Sequence, residues 1–275
     1  MCETCGCGSN SVAISGVIRG AAALAIRKET GAASRSATHD HVHDHGVPAL
    51  EEVGERVMAK NDGAAADNRV WLVSRGVAAV NLMSSPGAGK TTLLVATLPE
   101  LAASGAVGVV EGDQATSIDG DRIAATGATV VQINTGRGCH LEADMVRTAL
   151  ERLALPRGGL AVIENVGNLV CPALFDLGEG AKIVLLSVTE GDDKPAKYPH
   201  MFAAADLVVF TKIDLLPHVD FDVARAKAAV AGLNPRASFL ELSARSGVGM
   251  RAWLAWLAER RIAQNSTSEA ACTPC

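Results

Sequence analysis

The stretch SSPGAGKTT, residues 84–92, constrains the fold of this chain more than any other feature. It follows the apolar run VAAVNLM and precedes KTTLLVATLPELAAS, which has the composition of a helix. A glycine-rich turn between a buried strand and a helix is the context of a phosphate-binding loop. The stretch departs from the usual G-x-x-x-x-G-K-[ST] pattern at its first position, where Ser84 replaces glycine. The sequence therefore predicts a nucleotide phosphate site in a strand–loop–helix unit.

The residue types in this loop suit particular parts of a nucleotide. Gly87 and Gly89 would let backbone N–H groups close around phosphate oxygens, and the helix amino terminus would add positive potential. Lys90 would reach the β- and γ-phosphates as a catalytic cation, and Thr91 would place its hydroxyl on Mg²⁺. The predicted nucleotide-binding residues of the loop are Gly87, Ala88, Gly89, Lys90, Thr91 and Thr92.

Apolar runs alternate with helix-like stretches after this loop. The runs include AVGVVEG, TVVQIN, LAVIEN, KIVLLSV, LVVFT and SFLELS, and HLEADMVRTALERL and MRAWLAWLAER are two of the intervening stretches. Strands that are apolar throughout are typical of parallel sheets with helices on both faces. Because 48% of the residues are hydrophobic but only 3% are aromatic, Ala, Val and Leu must fill the core. We predict an α/β fold with a mostly parallel central sheet.

Changes in composition divide the chain into five predicted parts. The nucleotide-binding domain is the longest, and extensions of different character flank it. The predicted parts are 1–10, a cysteine motif; 11–49, a flexible linker with a short helix near 14–28; 50–75, a helical lead-in broken near Asp62 and Gly63; 76–265, the nucleotide-binding domain; and 266–275, a disordered tail.

Two short motifs near the end of the domain predict which base is bound. FTKIDLL follows an apolar strand and has the form of the [NT]-K-x-D base-recognition motif, with Thr211 in place of the commoner Asn. Asp214 would accept two hydrogen bonds from guanine, which adenine does not offer, and Lys212 would lie along the base. LSARSG then matches the S-A-[KR] element that closes over guanine, through Ser243 and Ala244. In this order after a phosphate loop, the motifs predict GTP.

Acidic residues at two strand ends are candidates for catalysis and for sensing the terminal phosphate. Asp113 in EGD could hold Mg²⁺ or orient the attacking water. In ENVGN, Glu164 and Gly167 fit a [DE]-x-x-G switch whose glycine N–H meets the γ-phosphate. Helix capping or exposure in a loop remains the alternative for both acids.

Cysteine and histidine meet at the same predicted sheet edge. TGRGCHLEA places Cys139 beside His140 at a strand–helix junction, and NVGNLVCPALF places Cys171 just after the predicted switch. Two thiolates and an imidazole suit Zn²⁺ or Ni²⁺, and a water or a second subunit could complete the set. Taken singly, each cysteine could instead be an ordinary buried residue.

The termini hold the remaining thiols and a histidine tract. Cys2, Cys5 and Cys7 can surround one ion in a glycine-rich segment, and thiolates with the terminal amine would favour Ni²⁺. A disulfide or adventitious metal is the alternative there. Cys272 and Cys275 form another C-x-x-C of open significance. The tract HDHVHDH could store nickel or could be merely solvated. Its histidines are His39, His41, His43 and His45.

Charge and hydropathy exclude two classes of partner. The net charge is −5, and the absence of a long basic run argues against a duplex nucleic acid. SVAISGVIRGAAALAIRK is too short and too polar for a membrane span. We therefore expect a soluble cytoplasmic protein, a setting in which clustered thiols favour metal or redox chemistry over disulfides.

Taken together, these motifs closely resemble the HypB family, GTPases that help to insert nickel into [NiFe]-hydrogenase. The likeness covers nearly everything from residue 50 to residue 257, together with the terminal thiols. Its segments are CxxCGCG, KND…NR…NLMSSPGAGKTTLL, EGDQATSIDGDRI, QINTGRGCHLEADMV, ENVGNLVCPALFDLGE, TEGDDKPAKYP and TKIDLLP.

The resemblance implies a P-loop GTPase of the SIMIBI class that forms a GTP-promoted homodimer. It implies a second metal site at Cys139, His140 and Cys171. It also implies two partners, a small zinc-containing hydrogenase maturation protein and the hydrogenase large subunit. We expect slow, Mg²⁺-dependent GTP hydrolysis to gate nickel delivery. The alternatives are a urease-type nickel accessory GTPase and a nickel storage protein with a non-essential phosphate loop.

Overall fold

The computed structural model describes residues 13–14, 50–114 and 116–271, which form one eight-stranded sheet. The strands are β1 (Ala13–Ile14), β2 (Ala78–Ser84), β3 (Val107–Asp113), β4 (Thr129–Asn134), β5 (Leu160–Glu164), β6 (Ala181–Ser187), β7 (Leu207–Thr211) and β8 (Ser238–Glu241). Their order across the sheet is β1-β4-β3-β5-β2-β6-β7-β8. Neighbours are parallel except β1 and β4. The predicted fold class is confirmed.

Helices cover both faces of this sheet. They are α1 (Leu50–Arg75), α2 (Lys90–Ser104), α3 (Ile118–Ala124), α4 (Ala143–Leu153), α5 (Cys171–Leu174), α6 (Lys194–Lys197), α7 (Pro199–Ala203), α8 (Val223–Leu233) and α9 (Met250–Ala271), with a 3₁₀ turn at Ile213–His218. Successive strand residues point to opposite faces. Val80 of β2 packs in the core beneath α2 and α9, whereas Ala79 packs in the core beneath α1 and α4. None of the helices in the described ranges has the length and apolar character needed to cross a bilayer.

Helix α1 is continuous through Asp62 and Gly63, so the predicted break there is wrong. The glycine costs an isolated helix about 1 kcal/mol, but tertiary contacts usually decide whether a helix forms. Here two buried side chains, Asn61 and Asn68, attach the helix to the body of the domain through hydrogen bonds to main-chain atoms. These contacts attach the parts of α1 before and after Gly63 to the body of the domain.

Both ends of the described chain also differ from expectation. Ile14, predicted to lie in a flexible linker near the start of a short helix, instead pairs with Ile133 on the open edge of β4, and its carbonyl accepts a hydrogen bond from Arg152 at 2.7 Å. An edge strand exposes unpaired backbone groups, which explains why a short segment can add there. At the other end α9 continues to Ala271, beyond the predicted start of a tail at residue 266, because extending a formed helix is far easier than nucleating one.

The strand register determines where the candidate site forms. Glu164 at the end of β5 lies opposite Leu82 of β2 and Glu111 of β3, so the carboxyl ends of these strands meet at one edge. Asp113 at the end of β3 is paired with Asn134 at the end of β4. The loops that leave these strands are therefore neighbours in space.

Candidate functional site

The glycine-rich loop borders a cavity of about 460 Å³ at this sheet edge. Gly87 and Gly89 have φ angles of 78° and 101°, in the left-handed region that favours glycine. Lys90 is only 8% exposed, and burial lowers the pKa of its ammonium group. Its Nζ donates a hydrogen bond to Ser84 Oγ at 3.0 Å. The serine that breaks the sequence pattern thus supplies an acceptor for the loop lysine.

Two buried carboxyl groups, those of Glu111 and Glu164, line the cavity next to the loop. Glu164 Oε1 accepts a hydrogen bond from Thr91 Oγ1 at 2.8 Å. The Oε2 atoms of both glutamates are buried without a hydrogen-bond partner among the described residues. A threonine hydroxyl next to carboxylate oxygens is the hard oxygen set that Mg²⁺ prefers, so the residues present fit this ion.

Burial is the main reason why the pKa values of these two glutamates are raised. It raises the pKa of Glu111 to about 9, and the negative charges of Glu164 and Asp113 contribute in the same direction. Burial also raises the pKa of Glu164 to about 7, although Lys90 and the Thr91 hydroxyl oppose the rise. Because the pKa of each glutamate is raised, a cation that binds these carboxylates would compete with protons.

Asp113 borders the same cavity, but its carboxylate also shapes the loop that follows β3. Oδ1 accepts from the backbone N–H of Gln114 at 2.7 Å, and Oδ2 accepts from the backbone N–H and the hydroxyl of Thr116 at 3.0 and 2.6 Å. Asp113 therefore fixes the loop after β3 and does not cap α3, whose N-cap residue is Ser117. A contact with Mg²⁺ or water stays a prediction.

Gly167 lies directly against the phosphate loop. A Cβ atom there would approach the backbone N and Cα of Pro86 to 3.1 Å, closer than a side chain is normally tolerated. The backbone after β5 thus borders the phosphate cavity, where a switch glycine would have to lie.

The predicted base-binding residues surround a second cavity of about 230 Å³. Thr211 Oγ1 donates to the carbonyl of Ala88 at 2.7 Å, and Lys212 Nζ donates to the carbonyl of Gly87 at 2.7 Å. The Thr that replaces Asn therefore still contacts the phosphate loop. The lining includes Ala88, Gly89, Thr92, Thr211, Lys212, Asp214, Ser243 and Ala244. Gly89, Thr92 and Lys212 border both cavities, so the two cavities adjoin and together form the nucleotide groove.

Cys139, His140 and Cys171 form a separate cluster at the same edge. The two sulfur atoms are 3.0 Å apart, and one ligand atom from each of the three residues lies within 4.8 Å of the others. Burial lowers the pKa of His140, which favours the neutral imidazole that metals bind. His140 Nε2 is buried without a hydrogen-bond partner in the described part of the chain, and the ring stacks on Phe175 at 3.8 Å. Soft sulfur with imidazole nitrogen fits Ni²⁺ or Zn²⁺.

Hydrogen bonds connect this cluster to the loops of the phosphate cavity. Gln114, which lines the cavity, donates from Nε2 to the carbonyl of Gly138 at 3.4 Å. Asn168 donates from Nδ2 to the carbonyl of Cys139 at 3.3 Å. The loops after β3 and β5, which border the phosphate cavity, are therefore hydrogen-bonded to the loop after β4 that carries Cys139 and His140.

A close steric contact reinforces this connection. A Cβ atom on Gly112 of β3 would come within 2.9 Å of three carbon atoms of the Leu141 side chain, the residue after His140. Only glycine allows Leu141 to reach the end of β3.

Two residues that the sequence analysis did not select also contribute here. Glu111 was overlooked because it reads as part of an apolar strand, although an acid in a buried run is itself a signal. Glu190, after β6, accepts a hydrogen bond from the hydroxyl of Ser85 in the phosphate loop. The remaining predicted metal ligands lie outside the described residues: Cys2, Cys5, Cys7, His39, His41, His43 and His45, together with Cys272 and Cys275.

The parallel sheet and the loop between β2 and α2 define a P-loop nucleotide-binding protein. The family model for the CobW/HypB/UreG nucleotide-binding domain matches residues 78–241. Hydrogenase maturation factor HypB of Rhizobium leguminosarum bv. viciae is 54% identical over 217 residues, covering 79% of this chain and 73% of the relative. HypB of Escherichia coli K12 is 46% identical over 290 residues, covering 96% and 100%.

Solved structures of HypB proteins have a similar fold. HypB from Helicobacter pylori in complex with nickel superimposes with a TM-score of 0.70 at 39% identity, covering 75% of this chain and 97% of that one. HypB from Archaeoglobus fulgidus gives 0.69 at 38% identity, covering 74% and 99%. The chain belongs to the CobW/HypB/UreG family, within its HypB members.

Proposed function

We propose that this protein is a Mg²⁺-dependent GTPase that carries nickel and delivers it to the large subunit of [NiFe]-hydrogenase during maturation. One observation carries the proposal: the loops after β3 and β5 line the phosphate cavity, the loop after β5 leads to Cys171, and hydrogen bonds join both loops to the loop after β4 that carries Cys139 and His140. Nucleotide state and metal retention can therefore influence each other through shared backbone. The HypB relatives, one of them solved with nickel, support the direction of this proposal.

The protein's own residues explain the hydrolytic step. A water oxygen bonds to the γ-phosphorus, the bond to the β–γ bridging oxygen breaks, and GDP with phosphate results. Lys90 places its charge on the β- and γ-phosphates, where negative charge develops. Asp113 orients the attacking water. Glu164 holds the cation-binding hydroxyl of Thr91 through a hydrogen bond. Bound Mg²⁺ would neutralise charge on the transferring phosphoryl group.

Specificity for guanine rests on Asp214. Its carboxylate lines the base cavity, where it pairs with the ring N–H and the exocyclic amine of guanine. A base without these donors would leave the carboxylate desolvated and unpaired, which is costly.

We extend the proposal to metal ligands in the amino-terminal segments, which lie outside the described residues. Cys2, Cys5 and Cys7 hold nickel tightly near the amino terminus, the histidine tract buffers it, and the internal cluster holds it more weakly. GTP orders the loops after β3 and β5 and promotes a homodimer. Hydrolysis relaxes the loops, and the ion passes to a small zinc-containing maturation partner or to the hydrogenase.

Nickel titration of the protein without nucleotide, with GDP and with a non-hydrolysable GTP analogue tests this gating. We expect the affinity of the internal cluster to differ between the GDP and analogue states by about 5- to 150-fold, the usual range of coupling between sites. By linkage, nickel must change nucleotide affinity by the same factor. Identical nickel affinity in all states would refute gating and leave a GTPase with an independent metal site.

A role in urease maturation is the second candidate. Relatives from Helicobacter pylori that carry the name hydrogenase/urease maturation factor HypB are 39% identical over 216 residues. Deleting the gene and assaying both nickel enzymes separates the candidates, since loss of hydrogenase activity alone supports the first. Normal maturation of both enzymes in a strain carrying Lys90→Ala would instead indicate nickel storage.

A further inference from the structure

Three polar side chains of α1 extend to the two segments that carry the thiol cluster. Asn61 bridges these segments by itself. Its Oδ1 accepts a hydrogen bond from the backbone N–H of Ala143 at 2.9 Å, and its Nδ2 donates to the carbonyl of Asp176 at 2.8 Å. Only a side chain that donates and accepts at once can make both bonds, which is a property of the amide.

Asn68 repeats this bridge about two helical turns further along α1. Its Nδ2 donates to the carbonyl of Ala143 at 2.7 Å and to the carbonyl of Leu177 at 2.9 Å. The side chain is 1% exposed, so these bonds form away from competing water. Next to it, one guanidinium nitrogen of Arg69 contacts both carboxylate oxygens of Asp176, at 2.8 and 3.0 Å.

The bridged segments lead directly to the cluster. Ala143 begins α4 just after Cys139 and His140. Asp176 follows Phe175, whose ring stacks on the His140 imidazole at 3.8 Å. A shift of Asp176 would therefore move the aromatic ring that orients the histidine. The segments that follow His140 and Cys171 are thus connected through α1, which contributes none of the three ligands.

We propose that Asn61, Asn68 and Arg69 are positioning residues for the Cys139–His140–Cys171 cluster, so that the docking of α1 sets its metal affinity. This inference rests on the proposed role of the cluster as a metal site. Groups outside the ligand shell that orient ligands typically contribute 10- to 100-fold to metal affinity. The amino-terminal cysteine and histidine segments directly precede α1 in the chain. An event in those segments that shifts α1 would therefore also lower the metal affinity of the internal cluster.

Cobalt binding to the full-length chain tests the inference, because thiolate ligands give Co²⁺ a charge-transfer absorption band. Serine replaces the other five of the seven cysteines, so that the band can arise only from Cys139 and Cys171. The replaced residues are Cys2, Cys5, Cys7, Cys272 and Cys275. In this parent, Asn61→Ala should lower cobalt affinity about 10- to 100-fold and change the visible spectrum.

Arg69→Ala provides a milder variant that keeps the fold, because the ion pair is partly exposed. It should lower cobalt affinity by about 2- to 5-fold, the value of an exposed pair, and Arg69→Lys should restore part of the loss. Lys197→Ala, which removes an exposed ion pair with Asp193 at 2.5 Å, is the matched control and should have no effect. GDP affinity, measured with a chelator present, should stay within about twofold in all variants and so report an intact nucleotide domain.

The outcomes separate the two proposals. If the parent gives no thiolate band, the internal metal site is refuted, and the positioning role falls with it. If the parent gives the band but Asn61→Ala and Arg69→Ala match it in affinity and spectrum, the positioning role alone is refuted. A graded loss with an unchanged control supports it.

Discussion

The nucleotide groove and the thiol cluster lie at one sheet edge but are built in different ways. The phosphate loop of the groove is one contiguous stretch, residues 84–92, whose shape follows from its own glycines and from the helix it begins. The cluster joins Cys139 and Cys171 from separate loops, and hydrogen bonds from Asn61 of α1 connect the segments that adjoin them. A contiguous motif encodes its own geometry, whereas a dispersed cluster depends on distant parts of the chain.

The largest effect should come from Lys90→Ala. Removing the charge aimed at the γ-phosphate should slow GTP hydrolysis by roughly 10²- to 10³-fold. Because the groove and the cluster are separately built, nickel affinity without nucleotide should stay unchanged. Single-turnover hydrolysis and a nickel titration measure the two effects, with Lys197→Ala as the control. A parallel loss of nickel affinity in the absence of nucleotide would show that the structure of the cluster depends on Lys90 itself.

Cys171→Ala makes the converse test. Loss of one thiolate should lower metal affinity at the cluster by more than about 100-fold, beyond the effect of groups that only orient ligands. GDP affinity in chelator should not change. Cobalt absorption and fluorescent-nucleotide titration provide the readouts, and Cys272→Ala serves as the control. Retention of the cobalt band would exclude Cys171 as a ligand.

Asp214→Asn examines the base end of the groove. The amide can no longer accept both guanine hydrogen bonds, so GTP affinity should fall about 10²-fold, while xanthosine triphosphate should gain in relative affinity. Competition binding with both nucleotides measures the switch. Unchanged preference for GTP would mean that other groups recognise the base. Metal affinity at the cluster should be unaffected.

The smallest effect concerns the pH dependence of stability. The pKa of Glu111 is raised to about 9 in the folded, ligand-free protein, so folding favours the protonated form. The contribution of Glu111 to the free energy of unfolding is complete at acidic pH. It is lost as the pH rises towards 9, on the order of 1 kcal/mol per pH unit. Glu111→Gln should flatten the profile of urea-unfolding free energy between pH 6 and 9 in chelator. A profile as steep as that of the unchanged protein would contradict this assignment.

The sequence predicted the parts of the molecule that local patterns encode. The alternation of apolar runs with helices identified the parallel sheet, and strand ends located the residues that now border the groove. Proximity of Cys139 and Cys171 was also predicted, because both follow strands that end at the same edge.

Features that depend on tertiary contacts were missed. The continuity of α1 through Gly63 could not be read locally, since it depends on buried asparagine bonds to segments far along the chain. The pairing of Ile14 with β4 depends on an open strand edge elsewhere in the sequence. Glu111 resembled any other strand position until the register placed it opposite Glu164.

The fit between Gly112 and Leu141 has a mechanical consequence. The Leu141 side chain occupies the space that any side chain at position 112 would need. The end of β3 and the turn that carries His140 are therefore in direct steric contact. If the end of β3 rotates, the contact between Gly112 and Leu141 transmits the movement to the turn that carries His140. This transmission needs no hydrogen bond. A methyl group added at position 112 would force the Leu141 side chain to shift and would disturb the contact between β3 and the turn that carries His140.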